Sequence, residues 1–238
     1  MSKIICVSGD SYTQEHFQKP EDRWSHKIGA TYNIAMGGAG NDRIFNATLK
    51  FLNEITPDVL IVGWTTTSRA SLYHKNGGRI IVSPQRCFNE STTEDHEDIQ
   101  KFYYANLHND YVNFYNTLNY MVFLQDYCKA KKIKLRYFRS VLYEKLDYKS
   151  LKDVAYHAYY NDSTPEIAKQ GVEHHIKLLR EIIGKLDKDI WIKKFWCSMH
   201  DYMVEEHNYV YKEGYGYGYS LPVEAVAGWA EEVKRSIM

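Results

Sequence analysis

The stretch Ile4-Ile5-Cys6-Val7-Ser8-Gly9-Asp10-Ser11-Tyr12-Thr13 decides how this chain is read. Its first four residues form an apolar run of strand length, and a Gly-Asp-Ser turn follows at once. Open α/β sheets bind their ligands beyond the carboxyl ends of the strands. A serine on a tight turn at that point can hold its hydroxyl above the sheet, within reach of a base and of hydrogen-bond donors.

Beyond this turn, strand-like runs alternate with helical patterns, which predicts βαβ units and a parallel sheet. A helix is expected from Pro20-Glu21-Asp22, carrying Trp24 and Ile28 inward. A second strand at 32–36 ends in Gly37-Gly38-Ala39-Gly40. Asn41 or Asp42 then caps a helix to about residue 53, with Ile44, Ala47, Leu49 and Leu52 at helical spacing. The run at 59–63 has the unbroken apolar character of a strand covered on both faces. Residues 64–96 read as an insertion, with a short added strand at 79–82. A long helix follows to about residue 132, broken near 106–109, and leads into a fourth strand at 134–138. Helices at 150–160 and 166–186, a fifth strand at 190–195 and a last helix at 222–237 complete the pattern. The expectation is a single domain spanning 1–238, an α/β protein built as a three-layer α/β/α sandwich on a mostly parallel sheet of about five strands, flavodoxin-like in order.

Composition narrows the function. Thirty basic and thirty acidic side chains cancel, so no overall field attracts nucleic acid or an anionic membrane. No run approaches the ~18 apolar residues of a membrane span. The chain enters its first strand without a signal-peptide pattern, which points to the cytoplasm. Its Asn, Lys and Tyr content fits a phage or intracellular bacterial protein. Cys6, Cys87, Cys128 and Cys197 are widely spaced, as reduced thiols are. His174 and His175 point about 100° apart on a helix and do not chelate one ion, so no metal is expected. The glycine turn at 37–40 lacks the Gly-Lys-Ser/Thr of a phosphate loop, and no cofactor is expected. The 21 tyrosines concentrate in 102–127 and 202–219. A long aromatic helix could pair two chains into a homo-oligomer, or simply cover the sheet. The Tyr-Gly alternation at 214–219 reads either as an aromatic lid or as a loop of half-buried rings.

The order of these pieces resembles the SGNH (GDSL-type) serine hydrolases, a family with a three-layer α/β/α fold and a nucleophilic serine after the first strand. The resemblance makes Ser11, in Gly9-Asp10-Ser11-Tyr12-Thr13, the candidate nucleophile. Asn33-Ile34-Ala35-Met36-Gly37-Gly38 matches the block whose glycine N–H binds the oxyanion, with Gly38 the best match. Glycine suits that role because the backbone must approach the substrate oxygen without a Cβ in the way. The family's next block, Gly-x-Asn-Asp, is replaced by Gly63-Trp64-Thr65-Thr66-Thr67-Ser68-Arg69, where Thr67 falls nearest the oxyanion asparagine. The last block, Asp-x-x-His-Pro, is also replaced. The residue before Pro222 is Leu221, and no imidazole or carboxylate stands at the expected spacing, although Trp229-Ala230 matches a pair often found in the family's last helix. His200 and His207 lie in the segment that would deliver the base, and His16 is close to Ser11 in sequence. Asp10, Asn41 and Trp64 are further candidates for oxyanion or substrate binding, with Trp64 read as core or pocket wall. Two functions remain open from sequence. One is a serine esterase acting on a small-molecule or carbohydrate ester. The other is a catalytically silent binding or assembly protein using the same cleft.

Overall fold

The computed structural model describes residues 3–14, 18–73, 79–82, 94–140, 146–156, 165–207 and 223–238. Its centre is a parallel sheet of β1 (Ile5–Ser8), β2 (Tyr32–Asn33), β3 (Val59–Trp64) and β6 (Lys134–Arg139), in the order β2-β1-β3-β6. Register is set by pairs such as Cys6 with Leu60 and Val62 with Tyr137. The side-chain period of two sends alternate residues to opposite faces. Cys6, Leu60, Val62, Trp64, Leu135 and Tyr137 face one core. Ile5, Val7, Val59, Ile61 and Phe138 face the other.

Each face is covered by helices, giving three layers. On the first lie α3 (Asn41–Glu54), α5 (Asp110–Lys131), α6 (Tyr148–Tyr156) and α7 (Pro165–Ile183). On the second lie α2 (Trp24–Lys27), α8 (Met199–His207) and α9 (Val223–Ile237). The anchor of the second layer is Trp229, fully buried, with its ring 5.3 Å from Phe138 and 5.4 Å from Tyr202. Burying such a side chain stabilises the fold by roughly 3 kcal/mol.

Several elements differ from expectation. The helix expected from Pro20 is a 3₁₀ turn (Pro20–Asp22) followed by the short α2. The fifth strand is reduced to two isolated bridges, Tyr137 with Trp191 and Arg139 with Ser198. Between them Lys193 and Trp196 adopt left-handed φ values of 68° and 65°, which a continuous strand does not tolerate. The break between α4 (Glu94–Asn106) and α5 falls where the sequence placed it, and Asn109 caps α5 by accepting from the Val112 N–H at 3.0 Å. Within the insertion, Arg79–Val82 (β5) pairs antiparallel with an unforeseen strand, Ala70–Tyr73 (β4). This hairpin packs against α4 through Ile80, Val82 and Tyr103.

Candidate active site

The turn after β1 is held by a buried carboxylate. Asp10 is fully enclosed. Its Oδ1 accepts from the Tyr12 N–H at 3.1 Å and from the Ser140 hydroxyl at 2.8 Å. Its Oδ2 accepts from Arg69 Nη1 at 3.0 Å. These partners come from the ends of three adjacent strands, so one side chain ties together the carboxyl edge of β1, β3 and β6. The neighbours of β1 are β2 on one side and β3 on the other, which makes this edge the topological switch point of the sheet. Gly9 is required by close approach: a Cβ there would strike Thr13 Oγ1 and stand 2.9 Å from the Gly63 carbonyl.

Ser11 opens the short α1 (Ser11–Gln14) and is half-buried. Among the described residues its hydroxyl makes no hydrogen bond. The glycine turn is stitched alongside it. The Met36 N–H donates to the Gly9 carbonyl at 3.0 Å, the Gly37 N–H to Gln14 Oε1 at 2.6 Å, and Asn33 Nδ2 to the Thr13 carbonyl at 2.9 Å. Gly38 has φ 71°, a left-handed conformation that favours glycine, and a Cβ there would stand 2.8 Å from Ile81 Cγ2 of the hairpin. The serine turn and the glycine turn are therefore one connected unit.

The threonine run after β3 completes this edge. Asn41 is buried at the start of α3, and its Oδ1 accepts from the Thr65 N–H at 2.9 Å. Its Nδ2 donates to the Thr65 carbonyl at 3.0 Å and to Thr117 Oγ1 at 3.1 Å. Both amide hydrogens are thus engaged in fixing the run. Thr65 Oγ1 accepts from Arg69 Nη1 at 3.1 Å, while Thr66 Oγ1 pairs with Ser68 Oγ at 2.9 Å. Thr67 lies in the same turn and is buried. Trp64 is enclosed in the core with its ring 5.6 Å from Tyr137. Arg69 and Ser140 are the residues that motif reading passed over. The one available cue was a lone cation closing an otherwise uncharged Thr/Ser run.

The histidines are placed differently from each other. His200 is the second residue of α8, which begins just after Ser198 bridges Arg139 at the carboxyl end of β6. His207, two turns further on, has Nε2 3.2 Å from the Tyr202 hydroxyl and packs against Gly228 of α9. His16 and the segment 208–222, with its Tyr-Gly run, lie outside the described residues. Burial pushes the Cys6 and Cys128 thiols up to about 12 and Cys197 to about 11, so none of these three supplies a thiolate near neutrality. Among the described residues no group of three His, Cys, Asp or Glu side chains could hold a metal ion, and no helix is long and apolar enough to cross a membrane.

No protein-family model and no curated protein matches the chain. Solved structures similar to it along its whole length include TesA, at 8% identity and TM-score 0.46, covering 99% of this chain and 98% of that one. A GDSL-like lipase from Bacteroides thetaiotaomicron VPI-5482 aligns at 11% identity and TM-score 0.43, over 99% and 87% of the two chains. The acetyl xylan esterase AlAXEase aligns at 11% identity and TM-score 0.43, over 99% and 100%. The chain is an α/β/α sandwich that resembles the SGNH (GDSL-type) hydrolases. That architecture stands on the sheet order and two covered faces described above.

Proposed function

We propose that the chain is a serine ester hydrolase of the SGNH type, removing an acetyl or other acyl group from a carbohydrate or small molecule. The observation that supports this reading is the hydrogen-bonded connection between the turn that carries half-buried Ser11 and the turn that carries Gly38, at the switch point of the sheet. In this reading Ser11 Oγ bonds to the ester carbonyl carbon while the C=O π pair moves onto its oxygen. The N–H groups of Ser11 and Gly38, with the Thr67 hydroxyl, meet that oxyanion. The serine proton passes to an imidazole and from there to the departing alcohol; water then repeats the sequence on the acyl-enzyme. Between His200 and His207, His200 is favoured by its place at the carboxyl edge, since the His207 ring is engaged by Tyr202. Turnover of p-nitrophenyl acetate by the wild-type chain, lost in Ser11→Ala, is the expected result.

A second reading, a silent binding module, is favoured by one observation. No described imidazole bonds the Ser11 hydroxyl, and a serine without a base is a poor nucleophile. Equal and negligible turnover by the wild-type chain and Ser11→Ala would select this reading.

A further inference from the structure

The hairpin of β4 and β5 has two faces, and each meets a different part of the molecule. Residues directly opposite in an antiparallel pair share a face. Ala70, Leu72, Ile80 and Val82 therefore lie on one side, and Ser71 and Ile81 on the other. The first set packs with Ile99, Tyr103 and Tyr104 of α4. The second set meets the glycine turn beside Ser11. The Gly40 N–H donates to Ser71 Oγ at 3.5 Å. A Cβ on Gly38 would stand 2.8 Å from Ile81 Cγ2 and 2.9 Å from Ile81 Cδ1, and its three nearest atoms all belong to Ile81. A hairpin face turned away from its own core ordinarily carries polar residues. Here it carries a half-buried isoleucine, so apolar surface is held against the glycine turn.

We infer that Ile81 is a specificity-determining residue whose side chain walls the acyl side of the Ser11 site and restricts it to acetyl-sized groups. This rests on the hydrolase reading above. A carbonyl oxygen accepting from the Gly38 N–H lies about 2.9 Å from that nitrogen. The carbon that bears it, and both groups attached to that carbon, then fall within a few ångströms of Gly38, where Ile81 is the neighbouring side chain. Of those two groups the acyl one is apolar. A sugar or other polar alcohol set against isoleucine would lose hydrogen-bond partners, a cost that an alkyl group does not carry. The size limit follows from how the strand is backed. Ile80 and Val82, on either side of Ile81, are buried against α4, so the wall cannot retreat without undoing that packing. A methyl group fits beside such a wall, and each further methylene has to displace it.

The test uses the full chain with p-nitrophenyl acetate and p-nitrophenyl butyrate, which share an alcohol and differ by two methylenes. Wild type is expected to favour the acetate in kcat/KM, and a preference for the butyrate overturns the inference. Ile81→Ala should raise the butyrate-to-acetate ratio of kcat/KM by about tenfold or more, the discrimination a hydrophobic pocket gives for a methylene. The ratio between p-nitrophenyl acetate and 1-naphthyl acetate, which differ only in the alcohol, should stay as in wild type. A shift confined to that alcohol comparison overturns the inference. So does a parallel fall with acetate and butyrate, which general loosening of the fold would give. If Ile81→Ala does not fold, Ile81→Val decides by the same butyrate-to-acetate ratio, a rise supporting the role and an unchanged value overturning it. A wild type that hydrolyses neither ester removes the hydrolase reading itself. An active wild type whose ratio ignores residue 81 removes only this inference.

Discussion

Asp10 shows how much one side chain can organise. Its carboxylate is fully enclosed and meets a backbone N–H, a hydroxyl and a guanidinium, so the segments that follow β1, β3 and β6 meet at it. Removing its charge leaves the Arg69 cation buried without a counter-ion, and breaking a buried pair in this way costs about 3 kcal/mol or more. Asp10→Asn is therefore expected to lower unfolding stability by about that amount in urea titration; a loss below ~1 kcal/mol would contradict the described role. At this scale the sequence was legible only in part. The turn from Gly9 to Thr13 announced itself because its residues are neighbours and glycine is needed for close approach. Arg69 and Ser140 did not, because they meet Asp10 from 59 and 130 residues away and no local pattern encodes such a meeting.

Among the elements, β1 and β3 could be read from sequence because strands covered on both faces are apolar without interruption, whereas β6 interleaves Lys134, Arg136 and Arg139 with Leu135, Tyr137 and Phe138. The fifth strand was misread for a related reason. Residues 190–195 include Ile190, Trp191, Ile192 and Phe195, but left-handed backbone at Lys193 and Trp196 breaks the ladder. β4 escaped notice because it pairs with β5 in a separate two-stranded sheet and packs beside α3 instead of joining the main sheet. The start of α3 is joined to the end of β3 by the Asn41 amide, which bonds both backbone groups of Thr65. In Asn41→Ala the Thr65 N–H and carbonyl both lose their partners in a buried setting, at about 1–3 kcal/mol each. We expect the variant to unfold about 3 kcal/mol more easily, with p-nitrophenyl acetate turnover reduced as the threonine run loosens. Unchanged stability would mean that Asn41 does not hold that junction.

For the whole molecule, covering the sheet buries ionisable groups: Cys6, Cys128 and Tyr137 lie in the core on the first face, and Cys197 is buried as well. The Cys6 and Cys128 thiols are pushed up to about 12 and Cys197 to about 11, from 9.0, by burial. Unfolded thiols lose their protons above about pH 9 while the folded ones keep theirs, so the unfolded chain binds fewer protons and stability falls as pH rises. Each thiol contributes a slope of about 1.4 kcal/mol per pH unit over that range. Burial raises Tyr137 well above its ordinary value too, which adds a loss of the same sign at higher pH. Urea midpoints should therefore decline from pH 9 to pH 11, less steeply in Cys128→Ala; a flat profile would contradict the burial of these thiols.

Intact-mass spectrometry after incubation with a fluorophosphonate tests the central claim most directly, because it reads whether the Ser11 oxygen is a nucleophile without requiring the natural ester. The account predicts a single phosphonyl adduct on the wild-type chain, mapped to Ser11, and none on an equally folded Ser11→Ala. A folded wild-type chain that stays unmodified, or carries its adduct on another residue, would contradict it.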